Sequence, residues 1–307
     1  MDFFVQQVVN GVTLGSVYAL IALGYSMVYG ILKLLNFAHG DVYMIGAFIG
    51  YGVLTVFGGA IDPSVPVPLL IVCMFGAAML GSGLLGVAIE RFAYRPLRNA
   101  PRIAPLISAL GVSFFLQNAA LLLFSPNFRS YESYELEGGS LFLPLNAGAL
   151  QISPLRILVI CSTLALMVAL TFFVGRTQLG KAMRATAYDR EAAAMMGINV
   201  DRVIVVTFFI GSALAGAAGV MVGLVFQRVY HFMGFIAGLK GFTAAVVGGI
   251  GSIPGAMLGG LIIGLAEAFS TAYVSSTFSD LIVFAILITV MLVRPTGLLG
   301  KADIKKV

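Results

Sequence analysis

Three groups of residues could do chemistry. Glu267 stands in an apolar stretch thirteen residues after Pro254. A carboxylate at the centre of a lipid-embedded helix costs about 2.5–3.5 kcal/mol on insertion scales, so it has to pair, protonate or face water. Its readings are a proton relay on the one hand and, on the other, a glutamate sealed by interhelical hydrogen bonds or standing near the outer interface. Asn36, His39 and Asp41 fall in a glycine-containing interruption after the first apolar run. They suit a half-helix cap or a constriction on a transport path, with His39 able to titrate near neutrality, and equally well a polar turn. The third group is backbone: Val247-Gly-Gly-Ile-Gly-Ser-Ile-Pro-Gly255, in which glycine weakens helix and Pro254 lacks an N–H donor. Unwound chain in lipid is tolerated only where protein covers it or water lines it. Gly251 and Pro254 therefore mark either a pathway or a tight helix hairpin.

Other motifs fall away. Gly175-Arg-Thr-Gln-Leu-Gly-Lys-Ala182 nearly matches a phosphate-binding loop, but Ala182 has no hydroxyl to hold magnesium and an apolar run precedes it where a buried strand belongs. Gly249-Ile-Gly251 is a fragment of the dinucleotide fingerprint, with Pro254 where the third glycine belongs. The apolar runs hold no Ser/His/Asp cluster, His-Glu-x-x-His or paired carboxylates, so no catalytic residue, metal site or cofactor is assigned. Cys73 and Cys161 lie inside apolar runs without a Cys-x-x-Cys and read as buried, inert thiols.

The elements that must position these groups follow from composition. Charged residues make up 10% of the 307, against about 25% in soluble domains. Hydrophobic residues make up 60% and mean hydropathy is +1.02, which leaves too little polar surface to coat a globule in water. The net charge of +5 sits between apolar runs rather than on one solvated face, so no nucleic-acid partner is read and the surrounding partner is membrane lipid.

Apolar segments run at about 5–31, 42–57, 67–89, 104–124, 155–174, 203–226, 242–273 and 281–293. Lys33, Arg91, Arg95, Arg98, Arg102, Arg176, Lys181, Arg184, Arg190, Arg202, Arg294, Lys301, Lys305 and Lys306 then fall on one side, and Arg129, Arg156, Arg228 and Lys240, with Glu132, Glu135 and Glu137, on the other. Because Lys and Arg stay cytoplasmic, the N-terminus is placed outside and the C-terminus inside. Parity then requires 242–273 to enter and return. The N-terminus carries no basic n-region or small-residue cleavage site and reads as a retained first span. Glycines at helical spacing, such as Gly211 and Gly219 or Gly255, Gly259 and Gly260, suit close helix packing in lipid. The fold class is all-α: one polytopic membrane helix bundle over 1–307, with about eight transmembrane segments and a Gly/Pro-interrupted re-entrant hairpin near 242–273. A cytoplasmic loop spans about 176–202, and a polar external loop spans about 125–153, with Pro126, Gly138, Gly139 and Pro144.

The loop Gly180-Lys-Ala-Met-Arg-Ala-Thr-Ala-Tyr-Asp-Arg-Glu-Ala-Ala-Ala-Met-Met-Gly-Ile-Asn199 favours helix up to Met196, with Gly197 placed to end it. Met183, Ala187, Ala194 and Met196 offer apolar contact, and Arg184, Asp189, Arg190 and Glu191 polar edges. A surface helix and a helix docked into a partner fit equally.

Glu191-Ala192-Ala193 followed by Gly197 resembles the EAA loop of ABC importer permeases, which inserts into a groove of the ATPase subunit. Nearly the whole chain resembles the H-type permease subunit of high-affinity branched-chain amino-acid ABC transporters. The carriers are Asn10-Gly-Val-Thr-Leu-Gly-Ser-Val-Tyr-Ala-Leu-Ile-Ala-Leu-Gly24, Asn36-Phe-Ala-His-Gly-Asp41, the EAA-like loop, and Phe242-Thr-Ala-Ala-Val-Val-Gly-Gly-Ile-Gly-Ser-Ile-Pro-Gly255. The resemblance implies a non-enzymatic subunit of the bacterial inner membrane. Its implied partners are a second permease subunit in a heterodimer, two cytoplasmic ATP-binding subunits that hydrolyse the nucleotide, and a periplasmic binding protein delivering leucine, isoleucine or valine. Arg184, Asp189, Glu191, Ala192, Ala193 and Gly197 become the coupling candidates; Asn36, His39, Asp41, Gly251, Pro254 and Glu267 the path candidates. A urea or short-amide permease, or a proton-coupled secondary transporter using Glu267, are the alternatives.

Overall fold

The computed structural model describes residues 2–59, 67–98, 100–101, 103–131, 145–147 and 150–300. In chain order the elements are α1 (Asp2–Leu32), α2 (His39–Gly59), α3 (Val67–Ile89), α4 (Ile103–Phe124), β1 (Arg129–Ser130), β2 (Leu145–Ala147), β3 (Leu150–Ile152), α5 (Pro154–Arg176), α6 (Gln178–Tyr188), α7 (Arg190–Met195), α8 (Val200–Phe226), β4 (Arg228–Val229), α9 (Met233–Gly248), α10 (Ile253–Tyr273) and α11 (Ser279–Val293). Glu90–Tyr94 is a π-helical turn and Arg95–Leu97 a 3₁₀ turn. Among the described residues seven helices are long and apolar enough to cross a membrane, and α9, at 16 residues, is a shorter apolar helix. The chain is a polytopic helical membrane protein.

These helices are apolar on every side, the pattern of a buried or lipid-facing helix. Burial, however, is uneven. α1 is enclosed along most of its length from Gly11 onward, whereas α4, α5 and α11 turn Phe115, Leu122, Phe172 and Leu292 outward. Cys73 and Cys161, expected inside, are free and exposed on α3 and α5. The reason is physical: lipid is as apolar as a core, so hydropathy does not separate the two environments.

The chain divides into two compact units. Unit 1 comprises Met1–Lys33, Ile160–Ile204 and Leu239–Val307. Its axis is the antiparallel pairing of α1 with α10. A Cβ on Gly11 would meet Leu265 Cα and one on Gly15 would meet Leu261 Cα, both at 2.8 Å, while Cβ atoms on Gly260 and Gly264 would strike the backbones of Ala19 and Gly15. Small residues allow this backbone approach where lipid gives no hydrophobic drive between helices. The adjacent face of α10, Gly255 and Gly259, closes against Gly248 and Ala244 of α9.

Unit 2 comprises Leu34–Val159 and Val205–Gly238. There Gly219 of α8 lies against the Tyr43 carbonyl and the Ala47 nitrogen of α2, and Gly86 of α3 against Ser212. β1 pairs antiparallel with β4, with Arg129 opposite Val229, and the Tyr131 hydroxyl donates to the Ala47 carbonyl at 2.6 Å. β2 and β3 form a second antiparallel ribbon. Residues 132–144 and 148–149 of the 125–153 loop, including Glu132, Glu135, Glu137, Gly138, Gly139 and Pro144, lie outside the described residues, as do Arg102, Lys301, Lys305 and Lys306.

Two boundaries differ from the sequence reading. The segment read as starting at 242 starts at Met233, so Lys240, taken as a connecting residue, lies inside α9. A hydropathy window stops at a charge, but here two carboxylates neutralise it. The surface helix also breaks in two at Asp189, whose extended backbone (φ −155°, ψ 114°) separates α6 from α7.

Candidate functional site

Glu267 is sealed rather than solvated. Its Oε1 accepts from Lys240 Nζ at 2.7 Å and its Oε2 from the Tyr18 hydroxyl at 2.8 Å. Lys240 Nζ also reaches Asp280 Oδ1 at 2.7 Å. The Lys240 ammonium and two carboxylates, Glu267 and the half-exposed Asp280 in the first turn of α11, together with the Tyr18 hydroxyl, thus join α1, α9, α10 and α11. Buried ions persist only when paired and hydrogen-bonded, and each oxygen of Glu267 has its donor. The geometry is that of a clasp.

Gly251 and Pro254 sit at the other end of α10, and Pro254 is about 20 Å from Glu267 at 1.5 Å per residue, so the three path candidates of this unit do not come together. The turn between α9 and α10 holds Gly249 and Gly251 at φ +109° and +88°, a region that side chains with a Cβ rarely enter. Ser252 caps α10 by accepting from Gly255 N–H at 3.2 Å, and Pro254 stands in the first turn, where its missing donor costs nothing. The last carbonyls of α9 are also satisfied: Leu298 N–H donates to Val247 and Leu299 N–H to Gly248, both at 2.9 Å.

In unit 2, Asn36, His39 and Asp41 are all buried. Asp41 accepts from Ser113 and Gln117 of α4. Asn36 Oδ1 accepts from the Tyr94 hydroxyl at 3.3 Å, and the same hydroxyl reaches the Leu35 carbonyl at 3.1 Å. Tyr94 ends the π-helical turn that begins at Glu90, itself fully buried and ion-paired to Arg98. The turn is thus knitted into the structure by buried polar groups, not by solvent.

The 176–202 segment is a strap of two capped helices, α6 and α7. Thr177 caps α6 by accepting from Gly180 N–H at 3.0 Å, and Asp189 caps α7 by accepting from Glu191 and Ala192 N–H at 3.1 Å. Gly180, the glycine of the phosphate-loop-like string, is there because a Cβ would strike the Phe173 and Val174 carbonyls. α7 ends at Gly197 (φ +82°), with Ile198 N–H on the Ala193 carbonyl and Gly197 N–H on the Ala194 carbonyl, the paired bonds of a Schellman cap. Two guanidinium groups fasten the strap. Arg184 donates to the Val174 carbonyl of α5, and Arg190 Nε donates to the Ile31 carbonyl of α1 at 2.9 Å. Outward it presents Tyr188, Met195 and Met196, each about four-fifths exposed, with Glu191 beside them.

Residues 7–291 match the family described as Branched-chain amino acid transport system / permease component. The chain belongs to this permease family. The high-affinity branched-chain amino acid transport system permease protein BraD of Pseudomonas aeruginosa is 46% identical over 304 residues, covering 99% of this chain and 98% of the relative. The corresponding permease protein LivH of Escherichia coli is 46% identical over 307 residues, with the same coverage. A probable LivH of Methanocaldococcus jannaschii is 27% identical over 296 residues, 94% of this chain and 89% of its own. No solved structure matches.

For this permease, sequence reasoning missed Lys240, Glu90 and Arg190. Arg190 was placed on a polar edge, but nothing local shows that it reaches back across 159 residues to Ile31. Glu90 ends an apolar run and its burial rests on Arg98 eight residues on, a spacing just beyond two helical turns that could have marked the pair. Met183, read as outward contact surface, points inward.

Proposed function

We propose that this chain is a transmembrane subunit of an ATP-driven importer of branched-chain amino acids. A second permease subunit pairs with it, two cytoplasmic ATP-binding subunits drive it, and a periplasmic binding protein supplies the substrate. The N-terminus is outside, and the strap of α6 and α7 faces the ATPases. The observation that carries this reading is the Arg190–Ile31 bond within a member of the permease family. It gives a displacement of the exposed Tyr188–Met196 surface a direct route into α1. From α1 the motion passes to α10 through backbone contact at the Gly15–Gly264 crossing, which has no side chains to absorb it. α10 carries the 249–252 turn at one end and the Glu267 clasp at the other.

A substrate with a zwitterionic head and an apolar tail suits a path of apolar helices with few polar groups. The proton-coupled alternative is not favoured, because the oxygens of Glu267 are already taken by Lys240 and Tyr18. In proteoliposomes holding the complete transporter with internal ATP, labelled leucine uptake should be competed by valine and unaffected by urea or an uncoupler. Uptake that collapses with an uncoupler and ignores ATP would overturn the reading.

A further inference from the structure

In unit 2, α3 does not end in a plain helical turn. Over Glu90–Tyr94 it widens by one residue, with Arg95 N–H donating to the Glu90 carbonyl five residues back instead of four. Such turns are rare and occur mostly as single bulges, often at functional sites. Arg91 and Phe92 face outward, Phe92 with 80% of its surface exposed, whereas Glu90 and Tyr94 are buried. Three contacts from outside hold the bulge. The Tyr94 hydroxyl reaches the Leu35 carbonyl at 3.1 Å and Asn36 Oδ1 at 3.3 Å, Ser108 of α4 donates to the Ala93 carbonyl at 3.1 Å, and Arg98 pairs with Glu90.

Two buried groups beside the turn are left over. Glu90 Oε2, an acceptor, and Asn36 Nδ2, a donor, have no hydrogen-bond partner among the described residues, although buried polar groups are almost always paired. Both flank Tyr94: Glu90 opens its turn, and Asn36 meets its hydroxyl. A residue beyond a one-residue bulge stands up to ~100° from its place in a continuous α-helix, because about 3.6 residues make a turn. Absorbing the bulge therefore swings Tyr94 off Leu35 and Asn36 and leaves the Asn36 amide and the open oxygen of Glu90 to each other. The slack passes into the Arg95–Leu97 turn, where Pro96 already keeps the α-helix from continuing. We propose that Glu90–Tyr94 is a two-position lock on the start of α2. In the π form Tyr94 pins residues 35–36; in the α form the segment leading into His39 and Asp41 is released. Residues 33–38 join α1 to α2 along the chain, so the lock sets whether a pull on α1 moves α2. Its place in a transport cycle rests on the proposed function.

The test uses the complete transporter in proteoliposomes, with Cys73→Ala and Cys161→Ala removing the native thiols and Ala38→Cys as reporter. Ala38 is fully buried in the locked form. A small membrane-permeant maleimide is therefore expected to label it slowly at rest and several-fold faster during leucine uptake. Tyr94→Phe keeps the ring against Phe208 and removes the hydroxyl. It should raise labelling at rest about tenfold, since two hydrogen bonds are lost. Deleting Phe92 takes the extra residue from the exposed side of the turn; the inserted variant should label rapidly at rest and lose most uptake. Labelling at rest that ignores Tyr94→Phe overturns the lock whether or not the deletion variant folds. So does labelling that fails to rise while leucine is being taken up, or wild-type uptake by the deletion variant. A complex that takes up urea and no leucine refutes the proposed function instead, and the resting rate of Tyr94→Phe still decides the lock.

Discussion

Lys240 and Glu267 stand 2.7 Å apart on neighbouring helices, and both are largely shielded: their side chains are 8% and 13% exposed. Breaking a buried pair from one side leaves an uncompensated charge and costs about 3–5 kcal/mol, whereas replacing both members is often close to neutral. Lys240→Met should therefore lower the thermal unfolding midpoint of the detergent-purified protein sharply, and Lys240→Met with Glu267→Gln should restore most of it. A double variant as unstable as the single one would mean that the clasp does not act as a pair.

The crossing of α1 and α10 predicts a graded glycine series. A Cβ on Gly264 would strike the Gly15 backbone, whereas one on Gly76 or Gly111 meets nothing within 4 Å. Gly264→Ala should destabilise by about 1–3 kcal/mol through overpacking, and Gly111→Ala should be neutral or slightly stabilising through helix propensity. Membrane-inserted yield and thermal midpoint report both.

Gly197 separates conformation from contact. Among the described residues nothing lies within 4 Å of a Cβ placed on it, so within this chain a substitution acts through the φ of +82°. Gly197→Val should cost about 1–2 kcal/mol in the cap and depress both uptake and stimulation of the ATPase subunits while the protein remains inserted. Gly197→Asn, which tolerates this region, should retain most of both. Wild-type uptake and stimulation in the valine variant would remove Gly197 from the coupling machinery.

Arg190 holds the Ile31 carbonyl with two nitrogens of one fork. Lysine keeps the charge and loses the fork, so Arg190→Lys should lower the transport rate about tenfold while ATP hydrolysis continues, a rise in ATP used per leucine moved. A variant with unchanged stoichiometry would show that the force enters elsewhere.

The polytopic helical architecture was legible because scarcity of charge and long apolar runs leave a chain no alternative to lipid. Gly197 and the 248–255 break were legible too, since both are local backbone chemistry. The partnership of Lys240 with Glu267 was not. Each residue was read alone, the lysine as a connector and the glutamate as a lone charge, and only the hairpin geometry of α9 and α10 makes them neighbours. Nor could hydropathy place Cys73 and Cys161, because a lipid-facing helix side and a core-facing one are equally oily.

The caps that Leu298 and Leu299 supply to Val247 and Gly248 have a consequence for biogenesis. The glycine turn emerges from the ribosome with these two acceptors still open, and it stays so until the segment beyond α11 has been made and has folded back. Completion of that segment is thus a built-in checkpoint: a chain arrested or clipped before Leu298 would carry every span and still display an unfinished turn to membrane quality control.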